Sequence, residues 1–412
     1  MNSFITSAYG FFQVAVFVFL AIPTLYLFIF AFAGLFYRQP VVSGKPVMRK
    51  IAILIPGYKE DSVIVDVARD ATKQDYPQEL MDVIVIADSF QPATLEQLKN
   101  LPVKVLEVEF EESTKSKAIN AAFERLPDDY DIVVILDADN LMAPDFLKKM
   151  NAAFEPGRMA VQGHRTAKNL DSSLAVLDAI SEEINNNIFR KGHRVLGLSS
   201  AIIGSGMAFR YDYFRKLMST VTAVGGFDKE IELKMLKEGH RIAYLDDAIV
   251  YDEKVQKAES FSNQRRRWLS AQLIYFRKAI GHALSSLFLS GNIDYFDKTV
   301  QFIMPPRILL LGALLLFGTL FSLADLLWGI NPAFTYFWLV LTALCLLAFL
   351  FSVPLRFYRW QTVSAMGSLP RGMMLMILAM LKIKGANRQF LHTRHEAVST
   401  RLLEYSDHEQ RD

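Results

Sequence analysis

Hydrophobic and polar positions divide the chain into three regimes. Residues 11–36 carry no charge, and at about 1.5 Å per residue such a run is long enough to cross a bilayer as a helix. Two further apolar runs, 308–324 and 334–354, are joined through Asp325, Trp328, Asn331 and Pro332 and read as a pair of spans. Between these regions, short β-rich runs at 51–56, 83–87, 103–108 and 132–136 alternate with helical periodicity at 61–72 and 115–125. That alternation predicts an α/β domain with a largely parallel sheet covered by helices. Residues 372–381 are rich in Met and Leu but too short to span. Bracketed by Arg371, Lys382 and Lys384, they read as an interfacial helix, or as a third late span if extended back to Gln361. The aromatics after Trp268 (Tyr275, Phe276, Phe288, Phe302) suit either a helix in the membrane interface or packing against the soluble domain.

Charge adds direction. Arg38, Lys45, Arg49 and Lys50 follow the first apolar run, while Arg307, Arg356 and Arg359 flank the late pair on its outer sides. The positive-inside rule then places the intervening domain and the end of the chain in the cytoplasm. The first run has no basic residues before it and no cleavage site after it, so it reads as a retained anchor. The expected division is an anchor at 1–40, a soluble domain at 45–260, a bridging segment at 261–306, late helices at 307–385 and a tail at 386–412. A hydrophobic content of 52% agrees with partial membrane embedding, and a net charge of only +2 argues against a polyanion-binding field. The single cysteine, Cys345, lies in an apolar run and excludes a disulfide framework or a cysteine zinc site.

In α/β sheets, ligands sit beyond the carboxyl ends of the strands. The polar residues there are Gly57-Tyr58-Lys59-Glu60, Asp88-Ser89 and Asp137-Ala138-Asp139. Another Asp-x-Asp, at Asp129 and Asp131, precedes its strand and reads as a turn. Asp137 and Asp139, with no Cys or His set beside them, favour a hard divalent cation such as Mg2+ or Mn2+ bridging phosphates. Downstream, Gln264, Arg267 and Trp268 offer an amide, a bidentate guanidinium and a flat aromatic face, a set that suits a diphosphate and a stacked sugar. His392 and His395 have no third or fourth ligand nearby, which argues against a metal site.

Taken in order from Ile51 to Trp268, these motifs resemble membrane-embedded family 2 glycosyltransferases, the group that includes cellulose, chitin, hyaluronan and poly-N-acetylglucosamine synthases. The resemblance implies a GT-A (Rossmann-like) nucleotide-diphospho-sugar transferase domain with one N-terminal and two or three C-terminal transmembrane or interfacial helices. It implies inverting, metal-dependent transfer of a hexose, from a UDP-sugar foremost, onto a growing glycan in cell-surface or exopolysaccharide synthesis. On this resemblance Tyr58 and Glu60 border the base, and Asp88 contacts the nucleoside. Lys117, within Thr114-Lys115-Ser116-Lys117-Ala118-Ile119-Asn120, contacts a donor phosphate or the ribose. Asp137 takes nucleotide and metal, Asp139 the metal directly, and Gln264 and Arg267 the diphosphate. Gly204, Ser205, Gly206 and Trp268 line the acceptor side.

Counting back from Gly239 makes Asp228 the general base, with Phe227 where the family commonly has glutamate; aligning on Ile231-Glu232-Leu233 makes Glu230 the second choice. Phe390-Leu391-His392-Thr393-Arg394-His395 is similar to a segment common after the last membrane helix of such enzymes. The implied setting is a bacterial inner membrane with the catalytic domain facing the cytoplasm. Implied partners are a nucleotide-sugar donor, a glycan or lipid-linked acceptor, membrane lipids and export or assembly proteins, with no nucleic acid. Two alternatives stand beside it: a single transfer to a polyprenyl phosphate or lipid-linked acceptor, and an inactive sugar-nucleotide-binding membrane scaffold.

Overall fold

In the computed structural model, which describes residues 3–40, 47–223, 225–256 and 258–383, eight strands form one sheet. They are β1 (Ile51–Tyr58), β2 (Met81–Asp88), β3 (Lys104–Val108), β4 (Ile132–Ile135), β5 (Leu141–Met142), β6 (Ala160–Ala167), β7 (Met207–Arg210) and β8 (Ile242–Asp252). The order across the sheet is β3-β2-β1-β4-β7-β6-β8-β5. Period-two alternation explains why the strands form: Ile51, Ile53 and Ile55 of β1 enter one core, while Ala52 and Leu54 enter the other. The same split separates Val83 and Val85 from Ile84 and Ile86, and Ile132 and Val134 from Val133 and Ile135. Both faces are therefore buried, as the continuous apolar runs require.

The expectation of a largely parallel sheet needs correction. β3, β2, β1 and β4 are mutually parallel, but β7 lies antiparallel to both β4 and β6, and β5 is antiparallel to β8. Periodicity reports which faces of a strand are buried and says nothing of the direction in which the chain enters the sheet. Hence the mixed half was not readable.

α1 (Ser3–Gly34) precedes the sheet. The connections carry α2 (Ile64–Ala71), α3 (Pro92–Lys99), α4 (Lys115–Arg125), α5 (Phe146–Ala153) and α6 (Ser173–Asn185). A π-helical turn, Asn186–Gly192, joins α6 to α7 (His193–Val195), and α8 (Tyr211–Met218) and α9 (Phe227–Lys237) complete this domain. Beyond the sheet come α10 (Ala258–Ser290), α11 (Ile293–Gln301), α12 (Arg307–Trp328), α13 (Phe334–Ser352), α14 (Trp360–Met366) and α15 (Leu369–Leu381).

Among the described residues, three helices are long and apolar enough to cross a membrane, over Thr6–Gly34, Arg307–Trp328 and Phe334–Ser352. α14 and α15, bent by 49°, pass the same test only as a pair, so the third late span stays a bent element. Leu27, Phe30, Leu314, Phe321, Trp338, Leu341 and Cys345 pack the three long helices together. Asp325 is fully buried among them and accepts hydrogen bonds from Tyr9 Oη at 2.9 Å and Gln13 Nε2 at 2.7 Å. His392, His395 and the segment around them lie outside the described residues.

The helical bundle meets the α/β domain through the π-turn. A Cβ on Gly192 would stand 2.1 Å from the Phe30 carbonyl oxygen, so only glycine permits this approach. Asn187 donates to the Ala31 carbonyl at 3.0 Å and to Ser352 Oγ at 3.1 Å, tying the C-terminal ends of α1 and α13 to the domain beside the sheet.

Candidate active site

The carboxyl ends of β1, β2 and β4 open onto a cleft of about 480 Å3. Its walls include Tyr58, Glu60, Asp88, Asp137 and Asp139 from the strand ends, Asp228 and Glu232 from α9, and Gln264, Arg265, Arg267 and Trp268 from α10. Segments more than 200 residues apart thus meet at the sheet edge where ligands bind in this architecture. Two non-glycine residues there, Lys59 and Ser89, adopt left-handed backbone (φ 55° and 58°). Such strain persists only where surrounding structure enforces it: Lys59 N donates to the Asp88 carbonyl at 3.1 Å, and Ser89 Oγ to the Asp88 carboxylate at 2.9 Å. Asp88 is buried and held still at the end of β2.

The Asp137-Ala138-Asp139 loop is fastened from below. Ser205 Oγ accepts from the Asp137 amide at 2.9 Å and donates to Asn140, whose Nδ2 donates to Asp252 at 3.0 Å. Ser205 is fully buried, and Gly206 (φ 61°) is wedged against Val250 with its amide on the Ile135 carbonyl. These two residues build the floor and are not brought into the cleft; of the expected acceptor-side trio only Gly204 lines it. A turn that needs positive φ accounts for both glycines.

The lysine expectation is corrected. Lys117 turns away and donates to the Glu112 carbonyl at 2.7 Å, whereas Lys115 reaches Asp137 and the Gly204 carbonyl (2.8 Å) inside the cleft. At about 100° per residue, positions 115 and 117 of α4 point to opposite sides, so only one of them can serve the site. Helix phase, set by burial of Ala118, Ile119 and Ala122 against the sheet, chooses Lys115.

The same phase argument sorts the acids of α9. Asp228 faces the cleft next to Gly204, with Lys229 Nζ at 3.5 Å. Glu230, the second choice, lies off the cleft: it pairs with Lys234 at 2.8 Å and accepts from Tyr275 Oη at 3.2 Å. Glu232, four residues past Asp228 on the same face, was missed from sequence. It is buried, pairs with Lys298 at 2.8 Å, and burial pushes its carboxyl up. Its i+4 spacing from Asp228 was the available signal.

On α10, Gln264, Arg267 and Trp268 share one face by their i, i+3, i+4 spacing. Gln264 Oε1 is buried and has no hydrogen-bond partner among the described residues, an acceptor left for a ligand's donor. Burial lowers the Arg267 guanidinium, which favours an anion beside it. Arg265 is committed elsewhere: it pairs with Asp178 and stacks over the Trp268 ring at 4.5 Å, leaving Trp268 36% exposed at the rim.

Beneath the strand ends lies a charge cluster that the sequence did not announce. Arg165 Nε donates to Glu182 at 2.8 Å and lies 3.4 Å from Asp252; Lys254 bonds Glu182 as well and is 2.7 Å from Asp252. Two cations and two anions cancel, which is how buried charge is tolerated. The residues adjoining Arg165 and Glu182, His164 and Glu183, repeat the device. His164 lies 3.2 Å from Glu183 and 3.0 Å from Asp246, and Arg356, just after α13, reaches Glu183 at 2.7 Å. The paired α6 acids thus connect the cleft floor to the helical bundle.

Burial opposes charge on His164, yet Glu183 and Asp246 hold it up to about 9. Burial likewise opposes the Glu183 carboxylate, but His164 and Arg356 push it down to about 2. His164 therefore stabilises fully below its ordinary value of 6.5 and loses that contribution as pH rises through about 9. Glu183 contributes above 4.5 and fails as pH falls through about 2. The Tm in detergent should peak between these limits and fall towards pH 9, and His164→Gln should flatten the alkaline limb. An alkaline limb unchanged in that variant would remove His164 from the account.

Among the described residues no group of three or more His, Cys, Asp or Glu side chains can hold a metal by itself. The hard-oxygen donors in the loop after β4 are Asp139 and Asp137, and Asp137 carries Lys115. Such a pair fits a divalent cation that completes its shell with water or ligand oxygens, as Mg2+ does, and does not fit a closed zinc site.

The sequence model for glycosyltransferase like family 2 matches residues 48–271, from just before β1 into α10, and takes in every cleft residue predicted from sequence. The chain belongs to this family. It has the GT-A glycosyltransferase fold and is a glycosyltransferase. A mannosyltransferase, PcManGT from Pyrobaculum calidifontis, solved with GDP-Man and Mn2+, is 19% identical; the likeness covers 82% of this chain and 96% of that one, with a TM-score of 0.50. S. aureus TarS is also 19% identical, over 53% of this chain and 38% of its own, with a TM-score of 0.33. Glucosyl-3-phosphoglycerate synthase from Mycobacterium tuberculosis, solved with Mn2+, UDP-glucose and phosphoglyceric acid, is 16% identical over 55% of this chain and 83% of its own, with a TM-score of 0.38. No curated protein matches the chain's sequence. At these identities the structural likeness speaks to fold alone. In this family 2 glycosyltransferase, roles for individual residues rest on the cleft geometry above.

Proposed function

We propose that this chain is an inverting, metal-dependent membrane glycosyltransferase that moves a hexose from a nucleotide-diphospho-sugar onto a growing glycan at the cytoplasmic face of a membrane. The observation that carries the reading is the convergence, in one cleft beside the helical bundle, of strand-end carboxylates, the α9 acid Asp228 and the Gln264–Arg267–Trp268 face. Tyr58, Glu60 and Asp88 form the nucleoside end. Arg267 and Gln264 face the diphosphate, and Trp268 offers a ring edge to a sugar at the rim. A divalent cation, held by Asp139 with Asp137 beside it, would neutralise the departing diphosphate.

Asp228 accepts the proton of the acceptor hydroxyl as that oxygen bonds to the anomeric carbon. The bond from that carbon to the diphosphate breaks on the opposite face, so the configuration inverts. Positioning and electrostatic stabilisation of the leaving group carry the rate, and no sugar–enzyme bond forms. Lys115, fixed between Asp137 and the Gly204 carbonyl, keeps the carboxylate loop and the acceptor-side turn in register.

A second reading, one sugar added to a lipid-linked acceptor, is favoured by the bundle's size: three helices long enough to span, or four with the bent pair, form a small bundle for a polysaccharide channel. Product length separates the two readings. The detergent-purified chain, supplied with Mn2+ or Mg2+, should release nucleotide diphosphate from one member of a panel of UDP- and GDP-sugars. Silence across the panel with lipid acceptors supplied, from folded protein, would shift the reading to a sugar-nucleotide-binding scaffold.

A further inference from the structure

A second basin, of about 710 Å3, is lined by Arg158, Arg194, Lys237, His240 and Arg241 together with Glu155, Glu238 and Asp294. Three of the cations already have acids. Arg158 lies 3.4 Å from Glu155, Arg241 2.7 Å from Asp294, and His240 3.9 Å from Glu238. Arg194 has none: its guanidinium donates only to the Leu198 carbonyl, at 3.0 Å, and no described carboxylate is within ion-pair distance. Burial lowers it most, the like charges of Arg158 and Arg241 add to this, and Tyr37 and Asp294 oppose the shift without cancelling it. A half-buried guanidinium facing two others is a site that gains from an anion.

The basin's position says which anion. Arg194 comes two residues after Gly192, whose backbone touches the Phe30 carbonyl in α1. His193 between them stacks on the Phe30 ring at 3.9 Å, and Asp297 of α11 accepts from Tyr26 at 2.7 Å. Tyr37, three residues beyond the end of α1, binds the Tyr244 carbonyl and is among the groups whose charge Arg194 feels. The basin thus sits level with the inner end of the first span, where lipid headgroups lie. Large apolar side chains flank it and are exposed: Val195 and Leu196 directly after Arg194, Phe288 and Leu289 at the end of α10, and Ile293 on the basin wall. Basic groups beside exposed apolar side chains at an interface are the makings of a lipid-binding surface.

We infer that this basin holds the phosphate of an anionic phospholipid headgroup, with Arg194 as the principal cation, Arg158 and Arg241 in support, and Leu289 and Ile293 against the glycerol and upper acyl region. The lipid would hold the α/β domain against the membrane on the side away from the catalytic cleft.

The test counts lipid retained on the full-length detergent-purified chain by native mass spectrometry, after exposure to an equimolar mixture of phosphatidylglycerol and phosphatidylcholine. Wild type should retain the anionic lipid in preference, and Arg194→Ala should cut that preference by about fivefold, one cation's share at an anionic surface. Arg194→Lys should recover most of it. Leu289→Ser should reduce retention of lipid without changing binding of inorganic phosphate. Donor turnover, unchanged in all three variants, shows that the fold is intact. Equal retention by wild type and Arg194→Ala overturns the site. Full displacement of the lipid by excess inorganic phosphate, with Leu289→Ser without effect, reassigns the basin to a free phosphate and overturns the lipid assignment.

Discussion

Asp228→Asn should lower kcat by about 10²–10⁴-fold while leaving donor affinity near wild type, the signature of a lost general base. The expectation rests on geometry. Asp228 is the α9 acid that lines the cleft beside Gly204, and Lys229 pairs with one of its carboxylate oxygens at 3.5 Å. Two neighbouring acids supply the controls. Glu230 is spent on Lys234 and Tyr275 outside the cleft, so Glu230→Gln should leave kcat nearly unchanged and cost about 1 kcal/mol of stability at most. Glu232 is buried against Lys298, and Glu232→Gln would leave that ammonium unpaired. Its main effect should be destabilisation of about 3–5 kcal/mol. Steady-state kinetics with a thermal melt for each variant decide the matter. If Glu232→Gln abolishes turnover at full stability while Asp228→Asn does not, the base is Glu232.

Asp139→Ala should reduce turnover by about 10²–10³-fold, the usual cost of deleting one preorganised electrostatic stabiliser at a leaving group. It should also raise the Mn2+ concentration needed for half-maximal nucleotide binding. Asp139 is buried in the loop after β4, with Lys168 Nζ on its carbonyl at 3.3 Å, so the loop keeps its path when the carboxylate is removed. Asp137→Ala should behave differently. It removes the partner of Lys115, which then no longer ties the carboxylate loop to the Gly204 turn, so the donor end of the cleft loses its shape. Its loss should fall more on donor affinity than on metal dependence. Titration of Mn2+ against nucleotide binding reads both. A wild-type Mn2+ midpoint in Asp139→Ala would remove that residue from the metal site.

Much of the site was legible because it follows strand ends. Asp88 and Asp137 could be placed at the cleft because an apolar run ended immediately before each, with Asp139 two residues on, and a parallel sheet directs those ends to its ligand edge. Gln264, Arg267 and Trp268 could be grouped because i, i+3, i+4 spacing makes a helical face whatever the helix packs against. Lys117 failed because a motif match names a segment, and α4 could have been rotated to present either lysine; burial of Ala118 and Ile119 decided for Lys115. Ser205 and Gly206 failed because small residues serve a tight turn as well as a ligand wall, and nothing local separates these uses. Arg165, Glu182, Asp252 and Lys254 lie on three separate elements, and no spacing in the chain brings their charges together.

The sequence alone determined what depends on neighbours along the chain: three apolar helices, the run of strands and helices between them, and the carboxylates that end those strands. Periodicity and continuous apolar length are local properties, so they survive without knowledge of the fold. The tertiary structure alone decided the reversed direction of β7, the rotation of α4 and α9, and the neutral charge cluster beneath the cleft. It also decided the basin of arginines beside the C-terminal end of α1. Each of these depends on which surfaces meet across a core, and that pairing is chosen by packing and by cancellation of buried charge over long separations in sequence.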